Sequence, residues 1–252
     1  MPLVASADNQ WGKYAWPTDG GPALVLGDNL NSVEWDASLL AANDDWNDSD
    51  FIDNSIAAGG AANNLDCAPA TGAVEICNYD YGNNNWLGIA GIYIAKGKQI
   101  TKGYVKVNDF YYAQDFYNNV PWRQLVMCQE VGHIFGLAHQ DETFDNANLG
   151  TCMDYTNYPE GVGTGGAMSN LHPNQHDYDQ LAVMYGTGDG EKDGDKKGGG
   201  PPAGKGKPSS PPGNDISQWG KAISTDGNGR PDLFELDLGG GNKLFTHVIW
   251  AN

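Results

Sequence analysis

The chain has 252 residues, 40% of them hydrophobic, with eight Trp and twelve Tyr. That is enough for one globular domain of ordinary size plus an appendage, and it excludes a disordered chain. Thirty-two acidic residues against 14 basic ones give a net charge of −18, a field that repels nucleic acid and anionic membranes, so neither is expected as a partner.

No apolar run is long enough to span a bilayer. Ala5-Ser6-Ala7 is like the small-residue tail of a signal cleavage site, although no apolar core precedes it. The expectation is a secreted chain from which an export signal and any pro-segment have been removed. Four Cys (67, 77, 128 and 152) allow three pairings, and an even count in such a chain favours disulfides. Cys67 and Cys77 close a short loop and are the natural local pair.

Residues 8–33 read as one or two strands, with Ala23-Leu24-Val25-Leu26 following the Gly20-Gly21-Pro22 break. Trp35 to Trp46 carries apolar residues at 35, 39, 40, 42 and 46, which is helical spacing. Residues 47–86 are rich in Asn, Asp, Gly and Ala, and Val74-Glu75-Ile76 is their clearest strand. The loop Tyr79 to Asn85 offers oxygens for Ca2+. Without regular ligand spacing, its Asn, Asp and Gly read first as turn chemistry. Trp86–Ile94 and Ile100–Val107 are two strands around the turn Ala95-Lys96-Gly97-Lys98. Asp109 to Asn118 reads as a surface loop or short turn. Pro121 marks a helix start, and Trp122 to Leu137 is a helix whose apolar positions 122, 125, 126, 127, 131, 134, 135 and 137 leave the face holding 129, 130 and 133 for chemistry.

On that face Glu130, His133, Gly136 and His139 stand as E-x-x-H-x-x-G-x-x-H, with Gln129 one turn before His133. Residues four apart on a helix share a face, so two donors from one helix can reach a single metal. Gly136 lets the chain leave the helical region and return His139 to the same point. Glu130 then flanks the ion without ligating it, placed to take a proton from the attacking water. Met153 lies fourteen residues after His139, in Cys152-Met153-Asp154-Tyr155.

This ordered set resembles the metzincin zinc metallopeptidases, secreted endopeptidases of the astacin, serralysin and matrixin type, with Gln129 standing where the family's leading His would be. The resemblance covers residues 8–186. It implies a metal, Zn2+ foremost, held by Gln129, His133 and His139, with Glu130 as general base. Tyr155 is implied as a hydrogen-bond donor to the tetrahedral intermediate or an exchangeable ligand, and Met153 as an apolar floor. It also implies that Cys128–Cys152 staples the helix to the turn, and that the strands at 86–107 supply the sheet edge on which a peptide or protein substrate pairs as an extra antiparallel strand. The carboxamide oxygen of Gln129 is neutral but a poorer zinc donor than imidazole. The alternative is a catalytically silent binding or adhesion protein whose site keeps only His133 and His139, helped by Asp141.

Residues 156–171 form a Gly-rich loop bounding the substrate pocket in that resemblance, and His176 to Tyr185 resembles the closing helix of the matrixin domain. Residues 187–214 are a Gly/Pro/Lys-rich linker. In 215–252, FELDL, the turn GGGNK and LFTHVIWA read as a hairpin with a small core from Trp219, Phe234, Phe245 and Trp250. So few residues need a neighbour to dock on. His172, His176 and His247 are not expected as ligands. His176 is the best substitute, and His247 is expected to face solvent or the neighbouring domain. The expected fold is α+β: a metzincin-like domain (1–186) with a twisted mixed sheet, a long active-site helix and a C-terminal helix, then the linker and the β-rich module. A monomer is expected.

Overall fold

The structure, a computed structural model, describes residues 8–17, 21–95, 97–163, 166, 168–186 and 211–251. The Ala5-Ser6-Ala7 segment and linker residues 187–210 lie outside the described residues. The chain is mixed α+β. Its strands are β1 (Val25–Asn29), β2 (Ser55–Ala58), β3 (Val74–Tyr79), β4 (Trp86–Ala95), β5 (Gln99–Asn108), β6 (Lys221–Thr225), β7 (Pro231–Gly239) and β8 (Asn242–Trp250). Its helices are α1 (Val33–Asn47), α2 (Asp109–Tyr112), α3 (Val120–Ile134) and α4 (Gln175–Tyr185). None is long and apolar enough to cross a membrane.

All eight strands join one sheet in the order β2-β1-β3-β5-β4-β8-β7-β6. Strands β1, β2, β3 and β5 pair in parallel, and every pairing from β5 through β4, β8, β7 and β6 is antiparallel. The C-terminal strands therefore extend the same sheet as the strands before the linker. Strand β4, expected as an exposed edge, is interior: β8 runs antiparallel along it, with Ala90 opposite His247 and Gly91 opposite Thr246. The physical reason lies in β8 itself, which is apolar on both faces and needs a neighbour on each side.

Alternation sorts the core into two layers. Ala90, Ile92, Val105, Val107, Phe245 and Ile249 face the helices, where they meet Trp35, Leu39, Trp46, Leu125, Val126 and Ile134. Ile89, Tyr93, Tyr104, Leu244, Val248 and Trp250 face the other way and pack with Trp219 and Phe234. The small core expected for the C-terminal module is thus shared with β4 and β5, and Phe245 belongs to the helix side. The two disulfides are Cys67–Cys77 and Cys128–Cys152.

Local chemistry explains the elements around the site. Helix α1 begins at Ser32, which accepts from the Trp35 amide, and buries Trp35, Leu39, Ala42 and Trp46 along one stripe. Residues 109–118 are a short helix, α2, followed by a largely exposed turn at 113–118. Asn108 caps α2, Tyr111, Tyr112 and Tyr117 are buried, and the Asp109 carboxylate accepts from Trp35 Nε1 and Asn78 Nδ2. In the 79–85 loop, Asn108 accepts from the Tyr81 amide and donates to Gly82 O and Asn84 Oδ1, and Gly82 and Asn85 adopt left-handed backbone.

Candidate metal centre

Helix α3 carries the site. Asn119 accepts from the Trp122 amide and Pro121 lies in the first turn, so the helix starts where the sequence predicts. It ends three residues earlier than predicted, at Ile134, because Gly136 takes a left-handed φ of +93° and turns the chain. An L side chain there would also meet the Tyr14 carbonyl, 2.5 Å from a built Cβ. The N-terminal segment clamps this turn: the Trp11 amide donates to Gly136 O and the Ala138 amide to Asn9 O.

Within α3, Gln129, Glu130 and His133 have no solvent-exposed surface. His139 comes back from the turn until its ring centroid is 4.8 Å from that of His133. In each ring one nitrogen is already committed. His133 Nδ1 lies 2.8 Å from the Leu137 carbonyl, which can only accept, so Nδ1 carries the proton. His139 Nδ1 lies 3.2 Å from Glu142 Oε1. The two Nε2 atoms are buried and have no hydrogen-bond partner. Trp11 stacks on His133 with centroids 5.0 Å apart and planes 9° apart, fixing the ring from its other face.

Gln129 donates from Nε2 to the Cys152 carbonyl at 2.7 Å, tying α3 to the segment that carries Met153. Its Oε1 is buried and unpartnered, as are both carboxylate oxygens of Glu130. Burial pushes Glu130 well above the usual carboxylate range. Met153 is buried against α3, its sulfur reaching the space above Gly132. The turn is held by Thr151 Oγ1, which accepts from the Met153 amide, and by the Asp154 carboxylate, which accepts from the Leu149 amide and Asn170 Nδ2.

Tyr155 is buried, with its ring stacked on Phe144 and 4.3 Å from that of His139. Its hydroxyl lies 3.0 Å from His247 Nε2 and within 3.4 Å of Asp232 Oδ2 and the Val248 carbonyl. His247 faces the preceding domain, one of the two placements expected for it, but it was not expected among the candidate ligands. It is buried on the helix-facing side of β8, its ring 3.9 Å from that of His133 and 4.3 Å from that of His139. One ring nitrogen from each of His133, His139 and His247 lies within 4.8 Å of the other two. His247 Nδ1, unpartnered, is 3.7 Å from Glu130 Oε2.

A second group joins His139 to Glu142 and to Asp232 of β7, again within 4.8 Å. Burial and the Glu142 carboxylate raise Asp232 to about 7. His176 and Asp141 join neither cluster: His176 Nε2 lies 3.5 Å from Asp8, and Asp141 Oδ1 accepts from the Thr143 amide. His172 pairs with Asp45 at 2.8 Å.

The donor set fits a metal. Burial holds His133 and His247 well below the ordinary histidine range and His139 down to about 3, so all three rings are neutral, the form that donates a lone pair. Each unpartnered buried polar atom costs about 1–3 kcal/mol. Several converging at one point are an arrangement that a cation relieves. Imidazole donors suit a borderline ion such as zinc, whereas calcium takes six or more oxygens.

No family model and no curated protein matches this chain.

Proposed function

We propose that the chain is a secreted metal-dependent endopeptidase of the metzincin type. The observation that supports this reading is a cluster of buried, unpartnered donors on and around α3: ring nitrogens of His133, His139 and His247 lie within 4.8 Å of one another, Glu130 Oε2 is 3.7 Å from His247 Nδ1, and Gln129 Oε1 is unpartnered on the same helix. His133 and His139 would anchor the ion, with Gln129 Oε1 as the neutral third donor available on α3. A divalent ion there supplies Lewis acidity, which polarises a carbonyl and makes water a stronger acid.

Glu130 is the general base. Unpartnered, it is free to take a proton from the attacking water and pass it to the leaving amine. A nearby cation also favours its ionised form, which burial alone opposes. Tyr155 can donate to the oxyanion that develops on the carbonyl. Strand β4 supports the peptide lane: β8, extended and antiparallel to it, carries its own side chain to within 3.0 Å of the Tyr155 hydroxyl. A substrate strand in that lane would reach the same groups, its main chain paired to β4 and the cut set by register.

The test uses full-length protein. One zinc ion per chain and cleavage of an unfolded protein substrate are expected, and Glu130→Ala should keep the metal while turnover falls by at least about 100-fold. A wild-type chain that retains no stoichiometric metal with zinc supplied would sink the reading. A second reading is favoured by one observation: β8 fills the lane, and Gln129, Glu130, His133, Tyr155 and His247 are buried, with His139 partly buried. Stoichiometric metal without cleavage would make the chain a closed, catalytically silent metal protein of the same design.

A further inference from the structure

Helix α3 lacks an imidazole at Gln129, and β8 buries one that its strand does not need. We infer that the third metal ligand is His247, delivered by the C-terminal strand, and that Gln129 serves as the bond between α3 and the Cys152 carbonyl. This rests on the metal reading above and changes its ligand set.

Four observations carry it. A ring nitrogen of His247 lies within 4.8 Å of those of His133 and His139. The hydrogen bonds also allow a tautomer with a bare nitrogen facing the site. Tyr155 can give its proton to Asp232 Oδ2 or the Val248 carbonyl and accept from His247 Nε2–H. In that tautomer His247 Nδ1 keeps a lone pair and has no hydrogen-bond partner, like the Nε2 atoms of His133 and His139. Each ring then has one nitrogen oriented by the protein and one turned to the site, the usual dress of a metal-bound histidine.

Third, that bare Nδ1 faces Glu130 Oε2 at 3.7 Å. A cation held by the three rings would therefore lie beside the carboxyl group assigned as the base. Fourth, Gln129 is already anchored at 2.7 Å through its amide nitrogen, and a carboxamide oxygen is the weaker donor to zinc. The strand offers no other reason for a histidine. Phe245 and Ile249, its neighbours on that face, are buried apolar residues, and β4 and β7 hold position 247 opposite Ala90 and Leu233. An imidazole in such a row with one nitrogen unpartnered is destabilising unless that nitrogen binds something.

The ligand set consequently spans α3, the turn after it and the far side of the linker. Ion binding and docking of the hairpin on β4 become linked, since an ion that binds only the docked state stabilises docking by its own binding free energy. The same contact keeps β8 in the lane a peptide would take.

The experiment measures zinc affinity of full-length wild type, His247→Ala and Gln129→Ala by competition with a chromophoric chelator. It adds hydrogen exchange of the 242–250 amides with and without zinc. His247→Ala is expected to weaken zinc at least about 100-fold, and Gln129→Ala less than about threefold. Zinc should slow exchange along β8 in the wild type, a readout that needs no variant to fold. His247→Ala with unchanged affinity, Gln129→Ala with the larger loss, or β8 exchange indifferent to zinc would each overturn the assignment. A wild type that takes up no zinc at all would refute the metal reading instead.

Discussion

Gly132 sits inside α3, where glycine is a poor helix former, and its neighbours explain it. A methyl built at this position lies 2.6 Å from Met153 Sδ and 2.6 Å from Cζ2 of Trp46. Two effects of Gly132→Ala oppose each other. Alanine favours the helix by about 1 kcal/mol over glycine. Overpacking a filled core costs about 1–3 kcal/mol. Trp46 decides the balance. It is buried, its indole nitrogen donates to Cys128 O at 3.0 Å, and its ring packs edge-on against Phe135, so moving it also strains a hydrogen bond worth about 1 kcal/mol. The net expectation is a loss of about 1–3 kcal/mol. Urea unfolding at fixed zinc, read as a lower midpoint with an unchanged slope, measures it. Met153→Ala should make room for the methyl, so the double variant is expected to lose about 1 kcal/mol less than the sum of the singles. If Gly132→Ala is as stable as the parent, the Met153 and Trp46 side chains do not press on this turn of α3 and the described floor of the site is wrong.

Three further perturbations reach other parts of the molecule. A methyl at Gly88 of β4 would lie 2.6 Å from Val126 Cγ1 and 2.9 Å from Glu130 Oε1, whereas one at Gly103 would meet Ile134 Cδ1 at 2.8 Å. Both alanine variants should lose about 1–3 kcal/mol, but only Gly88→Ala should slow peptide cleavage, by about 100-fold through displacement of the base; equal rates would argue against Glu130 in that role. Replacing the Cys128–Cys152 pair, 24 residues apart, should cost about 3.5 kcal/mol in urea unfolding, and the Cys67–Cys77 pair, 10 apart, about 3 kcal/mol; a smaller loss for the longer loop would count against the loop-entropy account. Burial lowers the Lys106 ammonium from 10.5 to about 8. Between those values the unfolded chain holds a proton that the folded chain has shed, so stability rises with pH there, and below pH 8 the folded state bears a penalty of about 3 kcal/mol. The wild-type minus Lys106→Met stability difference, followed from pH 8 to 10, should rise by about 2 kcal/mol, and a flat difference would mean the ammonium is not desolvated.

Much of the scaffold was legible because its signals are local. Ser32 and Asn119 cap α1 and α3, the Trp35–Trp46 spacing is helical, and the strands β4 and β5 lie one turn apart. The short strands β2 and β6 were missed, since Ser55–Ala58 and Lys221–Thr225 are largely exposed at the sheet's edges and carry no apolar alternation. The start of the 109–118 segment looked like a loop because Asp109, a hydrogen-bond anchor for Trp35 and Asn78, is polar although it is not a surface group. Along α3 and the turn after it, the rings of His133, His139 and Tyr155 lie side by side, and Gln129 is bonded to the Cys152 carbonyl next to Met153.

The histidine of β8 was overlooked for a different reason. No rule of local sequence says which edge a distant strand will join, and pairing across the linker moves His247 from an appendage into the site. One signal was nevertheless present. In Leu244-Phe245-Thr246-His247-Val248-Ile249-Trp250, residues 244, 248 and 250 are apolar on one face and 245 and 249 on the other, the mark of a strand covered on both sides. A histidine in such a strand cannot face solvent. It must find a partner inside, and the helix whose motif carries Gln129 in place of an imidazole is where β8 delivers it. Asp232 arrives by the same route on β7, without any comparable sign in its own neighbourhood. A buried histidine between two apolar faces and a metal motif short of one imidazole are each anomalous alone. Placed 3.9 Å from His133 by the sheet, the one would supply, in the inferred ligand set, what the other lacks.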